Sequence, residues 1–169
     1  MQQIVLTRGY VALVDDEDFD RVSNRSWHAL VVKSGLVYAA SKTGGRLHGR
    51  TLLLHREILV GKKIDHIDWN GLNCVRSNLR VATMSQNQWN KRKGRSGSST
   101  SRYKGVDWHR LGKKWRARIV QYRVSRHLGL FVSEEDAARA YDAAARRLFG
   151  EFAALNFPGP GERSGLRPQ

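Results

Sequence analysis

The chain has 169 residues, with 30 Lys and Arg against 15 Asp and Glu, and a formal net charge of +15. Hydrophobic residues make up 40% of it, which argues against wholesale disorder. The charge indicates a polyanionic partner, and nucleic acid is favoured over an anionic membrane surface. The single cysteine, Cys74, excludes an intramolecular disulfide framework and a zinc site built from two or more cysteines. No apolar run approaches a membrane span and the first residues do not resemble a signal peptide, so we expect a soluble, intracellular protein.

The first half of the chain predicts short strands and short helices. Alternation of apolar residues predicts four strands, at 4–6, 10–14, 27–32 and 36–40. Residues 15–20 are an acidic turn or helix start, and the other helical candidates are the segments 52–60 and 85–91.

The segment 91–102, KRKGRSGSSTSR, separates two halves of unequal charge. Residues 1–90 carry 12 basic and 8 acidic side chains, a net of +4, whereas residues 91–169 carry 18 and 7, a net of +11. The segment is basic, then rich in Gly and Ser, and is predicted to be a flexible linker. The sequence leaves open whether it is only a spacer or also follows a phosphate backbone.

The second half predicts three strands, one helix and a flexible tail. The strand candidates are 103–109, 114–121 and 125–131. Ser133 is placed to cap a helix with Asp136 three residues on, and the helix is expected to run to Phe149 with Gly150 just past its end. Residues 159–169 are predicted to be the tail. The fold class expected from these elements is α+β.

Polar side chains suited to phosphodiester hydrolysis follow one another between residues 54 and 90. An Asp65-His66 pair precedes Asn78 by 12 residues and Asn87 by 21, counted from His66. Hydrolysis needs a base for water, a hard cation on the phosphate, and a group that fixes the base. Carboxylate and amide oxygens suit Mg²⁺ or Mn²⁺. This pattern indicates a metal-assisted hydrolase.

The segments LHREIL and IDHIDWNGLNCVRSNLRVATMSQNQWN resemble the HNH nucleases of the phage and intron homing type, over residues 50–90. The resemblance implies a ββα-metal finger in which two strands hold Asp65 and His66 and a helix carries Asn87. It implies that His66 is the general base, that Asp65 and Asn87 bind the metal, and that Asn78 orients the histidine ring. His55 and Arg56 stay open between a structural, a phosphate-binding and, for His55, a catalytic role.

The middle predicted strand of the second half alternates apolar and basic residues. Trp115, Ala117 and Ile119 are expected to pack on the helix, which turns Arg116 and Arg118 outward, where they can reach DNA. The alternative is a basic face that is only solvated.

The stretches YKGVDWHRLGKKWRARI and HLGLFVSEEDAARAYDAAARRLFGEFAALNFP resemble an AP2/ERF DNA-binding domain over residues 103–158. The resemblance implies that a three-stranded antiparallel sheet, backed by one helix, lies in the major groove. Asp107, Val120 and Ser125 stand where the plant pattern usually has arginine, so the plant target sequence does not carry over. Trp108 stays open between a DNA contact and packing. The expected DNA contacts are Lys104, His109, Arg110, Arg116, Arg118, Arg126 and His127.

Together these patterns predict an HNH nuclease domain at 1–90, a linker at 91–102, an AP2/ERF-like domain at 103–158 and a tail at 159–169. The expected activity is metal-dependent cleavage of double-stranded DNA, one strand at a time, by a monomer that uses Mg²⁺ or Mn²⁺. No membrane and no small-molecule cofactor are expected, and a phage-encoded chain would act in the host cytoplasm.

Two alternatives remain. One is a transcriptional regulator with a decayed nuclease half, because Asn73-Cys74-Val75 stands where the family usually has Asp-Asn-Arg. The other is a structural nucleic-acid protein, which explains the charge but not the motifs.

Overall fold

The computed structural model describes residues 1–44, 49–60, 63–94 and 99–166. Residues 95–98 of the predicted linker and 167–169 of the predicted tail lie outside the described residues. The chain divides into two compact units, Met1–Ala82 and Thr83–Gln169. The predicted domain boundary at residue 90 therefore falls inside the second compact unit.

The first unit is built from small antiparallel sheets and short helices. Its strands are β1 Gln2–Val5, β2 Val11–Val14, β3 His28–Val31, β4 Val37–Thr43, β5 Arg50–Leu53, β6 Ile64–His66 and β7 Leu79–Val81. Its α-helices are α1 Asp16–Ser23 and α2 Leu54–Ile58. The strands form a β1–β2 hairpin, a β3–β4–β5 sheet and a β6–β7 hairpin. The segment 52–60, expected to be a helix throughout, begins as β5 because Leu52 and Leu53 pair with β4.

The core of the first unit joins these pieces through apolar side chains from almost every element. Ala12, Val14 and Leu54 are fully buried in it. The loop after β6 is tied to β2 by backbone hydrogen bonds of 2.8 Å from Leu13 N to Leu72 O and 2.9 Å from Cys74 N to Leu13 O. The β6–β7 hairpin is thus held against the core of the first unit.

A buried carboxylate fixes the start of the segment that leads into β7. Asp18, on α1, is 1% exposed and accepts hydrogen bonds from Arg76 Nε at 2.7 Å and Arg76 Nη2 at 2.8 Å. Arg21 donates to the same carboxylate at 2.6 Å. Burial raises the pKa of Asp18, but the two arginines outweigh it and the pKa is lowered overall. This network ties α1 to the β6–β7 region.

The second unit contains a three-stranded antiparallel sheet in the order β10–β9–β8. Its elements are α3 Met84–Trp89, β8 Val106–His109, β9 Lys114–Gln121, β10 Val124–Phe131, α4 Glu134–Phe149, β11 Ala154–Leu155 and β12 Arg163–Ser164. The sheet packs on α4, as expected, through Ala117 and Ile119. Ser133 caps α4 by accepting from Asp136 N at 3.3 Å, and Gly150 ends it with φ 51°.

The C-terminal segment is more ordered than its composition indicates. Residues 163–164 pair in parallel with β11, and Arg146 forms an ion pair with Glu162 at 2.7 Å. Leu166 packs on the core that contains Tyr103 and Ala117. The expected flexible tail is thus held, up to Leu166, by pairing that local composition does not reveal.

The molecule is α+β with mostly antiparallel sheets, as expected for its class. None of the described helices is long and apolar enough to cross a membrane.

Candidate nuclease site and nucleic-acid interface

The β6–β7 hairpin places the Asp65-His66 pair on a paired strand end. Asp65 lies opposite Arg80 and His66 lies opposite Leu79. The Asp65 carboxylate accepts from Arg80 Nε at 3.1 Å and Nη2 at 3.0 Å, and both side chains are largely buried. Arg80 therefore fixes the orientation of the carboxylate that the sequence predicts to be a metal ligand.

The His66 ring is 6% exposed and lies against the rings of His55 and Tyr38. Its centroid is 4.6 Å from that of His55, in an edge contact, and Cys74 Sγ lies 3.8 Å from His66 Nε2. Burial lowers the pKa of His66, and the nearby Asp68 and Asp65 carboxylates only partly oppose this. A histidine with a lowered pKa is neutral at pH 7 and can accept a proton from water.

His55, on α2, is the second buried histidine of the site. It is 4% exposed, and its Nδ1 atom is buried without a hydrogen-bond partner among the described residues. Burial lowers the pKa of His55 to about 3. The sequence left His55 open between structural and catalytic roles, and the structure places it against the predicted base. Its neighbour Arg56 is exposed.

Tyr38 and Cys74 also surround His66, and sequence reasoning did not assign them to the site. Tyr38 comes from β4, and its ring centroid is 5.9 Å from that of His66. Gly71 approaches Tyr38 so closely that a Cβ at this position would lie 2.6 Å from Tyr38 Cδ1. No local pattern could have revealed Tyr38, because only sheet packing brings β4 to this hairpin.

Asn78 braces the loop that follows His66. Its Oδ1 accepts from Asp68 N at 3.0 Å, and its Nδ2 donates to Asp68 Oδ1 at 2.9 Å and to Asn73 O at 2.7 Å. Asn73 completes the brace by donating to Asp68 Oδ2 at 2.7 Å. Asn78 could therefore orient His66 indirectly, by holding the loop that follows it. No hydrogen bond from Asn78 to the His66 ring is found among the described residues.

Asn87 lies on α3, which belongs to the second compact unit. Thr83 caps α3 in a complete capping box with Gln86. The Asn87 Oδ1 atom is buried and has no hydrogen-bond partner among the described residues. An unsatisfied buried oxygen costs about 1–3 kcal/mol, so it is suited to a ligand that the protein alone does not supply.

The chemistry of the predicted ligand set fits a hard cation. Asp65 offers a carboxylate and Asn87 an unsatisfied amide oxygen, which are ligands that Mg²⁺ and Mn²⁺ prefer. The part of the chain that the structure describes contains no group of three or more His, Cys, Asp and Glu side chains arranged to hold a metal. The assignment therefore depends on an asparagine, and it remains a prediction.

The outer face of the β8–β9–β10 sheet is basic and concave. Arg116 and Arg118 lie on it, because their neighbours Ala117 and Ile119 turn toward α4. A depression of about 390 Å³ on this face is lined by His109, Arg116, Arg118, Ser125, His127 and Leu130. Four predicted DNA contacts are thus brought together on one surface.

Asp107 lies on the edge strand β8 and contacts the arginines of this basic face. It pairs with Arg116 at 2.6 Å and with Arg118 at 3.2 Å. The sequence predicted Asp107 only as a departure from the plant pattern. In the structure one carboxylate orients both arginines and offsets part of their charge.

Three predicted DNA contacts lie elsewhere. Arg126 lies opposite Ile119 in the sheet register, on the side that faces α4, and Arg110 is exposed in the β8–β9 turn. Lys104 is half-buried and donates from Nζ at 2.6 Å to both Trp89 O and Lys91 O. Trp108, whose role was left open, lies opposite Trp115 with its ring in edge contact at 5.1 Å.

The chain is similar to known HNH endonucleases and, over a separate region, to AP2/ERF proteins. A family model described as HNH endonuclease matches residues 57–89, which include Asp65, His66, Asn78 and Asn87. AP2/ERF proteins match a shorter region. The chain is 52% identical over 60 residues to an AP2/ERF and B3 domain-containing protein of Oryza sativa subsp. japonica, which is 36% of this chain and 16% of that protein. It is 49% identical over 70 residues to ethylene-responsive transcription factor 3 of Nicotiana tabacum, 40% of this chain and 30% of that protein.

One relative matches most of the chain. An uncharacterized HNH endonuclease of Acanthamoeba polyphaga mimivirus is 34% identical over 152 residues, covering 88% of this chain and 76% of the relative. A match of this length extends far beyond the nuclease motif. This chain therefore belongs to the HNH endonuclease family and carries, in addition, a region similar to AP2/ERF DNA-binding domains.

Proposed function

We propose that this nuclease is a metal-dependent DNA endonuclease that nicks one strand of a duplex recognised by its C-terminal sheet. The observation that carries the proposal is the buried His66, whose pKa is lowered and which lies beside Asp65 within the matched segment. A neutral imidazole next to a carboxylate held by Arg80 provides a base and a candidate cation ligand side by side.

His66 would take a proton from a water molecule as that water attacks phosphorus. A new bond then forms from the water oxygen to phosphorus, and the bond from phosphorus to the leaving sugar oxygen breaks. The leaving oxygen takes up a proton from solvent water, and His66 afterwards returns its proton to solvent. Asn78 would keep His66 in place by bracing the Asp68 loop. Asp65 and Asn87 would hold Mg²⁺ or Mn²⁺, and the bound ion would stabilise negative charge on the phosphate and leaving oxygen.

The duplex would be bound by Arg116, Arg118, His109 and His127 on the outer face of the sheet. Arginine side chains on a strand can contact guanine edges or phosphates. One chain contains one His66, so a monomer would cut one strand per binding event. Nicked circles should therefore appear before linear product.

The test uses supercoiled plasmid, with Mg²⁺ or Mn²⁺ and with EDTA as the metal-free arm. The wild type should convert plasmid to nicked circles only with metal, and His66→Ala should not. His28→Gln, a change on β3, is the matched control and should cut like the wild type. Equal products from the wild type and His66→Ala would defeat the proposal.

A DNA-binding regulator with an inactive nuclease half is the second candidate. The departure at Asn73-Cys74-Val75 favours it, and so does the pairing of Asp65 with Arg80, because a cation must share that carboxylate. Tight DNA binding without any metal-dependent nicking would support this alternative. The brace formed by Asn73, Asp68 and Asn78 favours the active nuclease, since it keeps the loop beside His66 ordered.

A further inference from the structure

The helix that carries Asn87 is part of the C-terminal unit. The family match covers residues 57–89, whereas the second compact unit begins at Thr83. The nuclease segment is therefore divided between units just before α3. A helix of six residues is not stable in water by itself, so what α3 packs against decides whether it forms.

Aromatic packing holds the end of α3 to the C-terminal unit. The Trp89 ring stacks on Phe149 of α4, with centroids 4.6 Å apart and an interplanar angle of 10°. Tyr122, in the β9–β10 turn, meets the Trp89 ring edge-on at 5.5 Å. Phe149 is itself 5% exposed, so Trp89 extends the core behind the DNA-reading sheet.

Hydrogen bonds also hold the C-terminal end of α3. Lys104 Nζ donates at 2.6 Å to Trp89 O and Lys91 O, carbonyls at and just past the last turn of α3. The last carbonyls of a helix lack partners within it and favour a cation nearby. Asn90, the C-cap of α3, is 1% exposed and accepts from Arg163 Nη1 at 2.7 Å.

We propose that the C-terminal unit positions Asn87 for metal binding, with Lys104 and Trp89 as the positioning residues. The inference rests on the proposed function, in which Asn87 is a metal ligand. Lys104 and Trp89 act through the backbone of α3 and do not touch the reacting atoms. The unit that reads DNA thereby also holds one of the groups that the cutting chemistry requires.

This assignment changes the role expected for Lys104. The resemblance to AP2/ERF domains implies that Lys104 contacts DNA. In the structure its ammonium group is already bonded to two backbone carbonyls and is half-buried. The two roles predict opposite results for one substitution, which makes Lys104 the decisive position.

The experiment compares the full-length wild type with Lys104→Met, Trp89→Leu and the matched control Lys33→Met, an exposed lysine in the β3–β4 turn. Three quantities are measured: hydrogen exchange of the α3 amides, Mn²⁺ binding to the DNA-free protein, and DNA affinity in EDTA at several salt concentrations. Lys104→Met should speed α3 exchange about tenfold or more, because two charged hydrogen bonds are lost. Mn²⁺ binding should weaken several-fold in the same variant, while DNA affinity and its salt dependence stay close to wild type.

Trp89→Leu should show the same pattern, and Lys33→Met should show neither change. Unchanged α3 exchange and Mn²⁺ binding, with weaker DNA binding and a flatter salt dependence in Lys104→Met, would overturn the inference in favour of a DNA contact. Faster exchange with unchanged Mn²⁺ binding would overturn the positioning role of Lys104 and Trp89.

His66→Ala, assayed in parallel on plasmid, separates this inference from the proposed function. It should lower cleavage about 10²–10⁴-fold while α3 exchange and Mn²⁺ binding remain as in the wild type. A wild type that fails to cut would overturn the proposed function, while the exchange and Mn²⁺ data still decide the inference.

Discussion

The proposed nuclease site and the proposed DNA-binding face place similar side chains in opposite environments. His66 and His55 are buried and their pKa values are lowered, so that both rings are neutral. Arg118 and His127 are exposed on an open basic sheet. A base for water must be uncharged before the reaction, whereas a DNA-binding surface gains affinity from exposed positive charge. The difference shows that one strongly basic chain contains a pocket in which two histidine rings stay neutral.

The largest effect should come from His66→Ala. Loss of a general base typically lowers the rate about 10²–10⁴-fold, so plasmid nicking should fall by that order. DNA affinity measured in EDTA should stay unchanged, because His66 is buried away from solvent. Equal losses of DNA affinity and of cleavage would contradict the proposed separation of the cleavage site from the DNA-binding face.

The double substitution Arg116→Ala and Arg118→Ala tests the DNA-binding face and leaves the cleavage site unchanged. It should weaken DNA binding about tenfold to a hundredfold and lower the salt slope by about two, roughly one for each phosphate-neutralising charge. The cleavage rate at saturating DNA should remain near wild type. The replacement Arg139→Ala, on α4 behind the sheet, serves as the matched control, and an unchanged affinity in the double variant would mean that another face binds DNA.

The buried pocket should also make stability depend on pH. The pKa of His55 is about 3 in the folded chain, below its ordinary value of 6.5, so only the unfolded chain takes up this proton between those values. Stability is therefore complete above about pH 6.5 and falls as the pH drops toward 3, by about 2 kcal/mol at pH 5. Urea unfolding of wild type and His55→Gln at pH 5 and pH 8 measures this, with His127→Gln as the exposed control.

The His55→Gln chain should lose less stability on going from pH 8 to pH 5. His66 contributes in the same direction, since its pKa is lowered too, so part of the dependence should remain. An identical pH dependence in His55→Gln and wild type would contradict the burial of a neutral imidazole at this position.

The smallest effect is expected at Asp107. Its carboxylate pairs with Arg116 and Arg118, so Asp107→Asn should release positive charge and strengthen non-specific DNA binding a few-fold at low salt. Competition between target and random duplex should then show poorer discrimination. Weaker binding of random DNA in the variant would show instead that Asp107 is needed mainly to hold the arginines in place.

Local patterns predicted the elements with strong periodicity. The bounds of β9, Lys114–Gln121, agree with the alternation of apolar and basic residues, and Ser133 caps α4 as its spacing with Asp136 indicates. The resemblance to HNH nucleases, not local periodicity, implied that Asp65 and His66 lie on strands, and they lie on β6. The bounds of β9 and the cap of α4 follow from local sequence, because side-chain direction and cap chemistry depend on neighbouring residues.

Contacts between distant segments could not be predicted from local sequence patterns. His55 and Tyr38 meet His66 only because α2 and β4 pack against the β6–β7 region. The sequence predicted that residues 163–164 belong to a flexible tail, whereas in the structure they pair with β11. The local sequence contains no signal for such contacts, since they depend on how whole elements are arranged.

The sequence by itself determined the family, the nature of the chemistry, and the alternating strand that presents Arg116 and Arg118. Residue type and spacing are sufficient for these, because they depend on side-chain chemistry and on the periods of helix and strand. Only the tertiary structure decided that His66 is desolvated beside a second histidine and that Lys104 binds the end of α3. Burial and hydrogen-bond partners arise from packing between segments far apart in the chain, and so they appear only once the chain is folded.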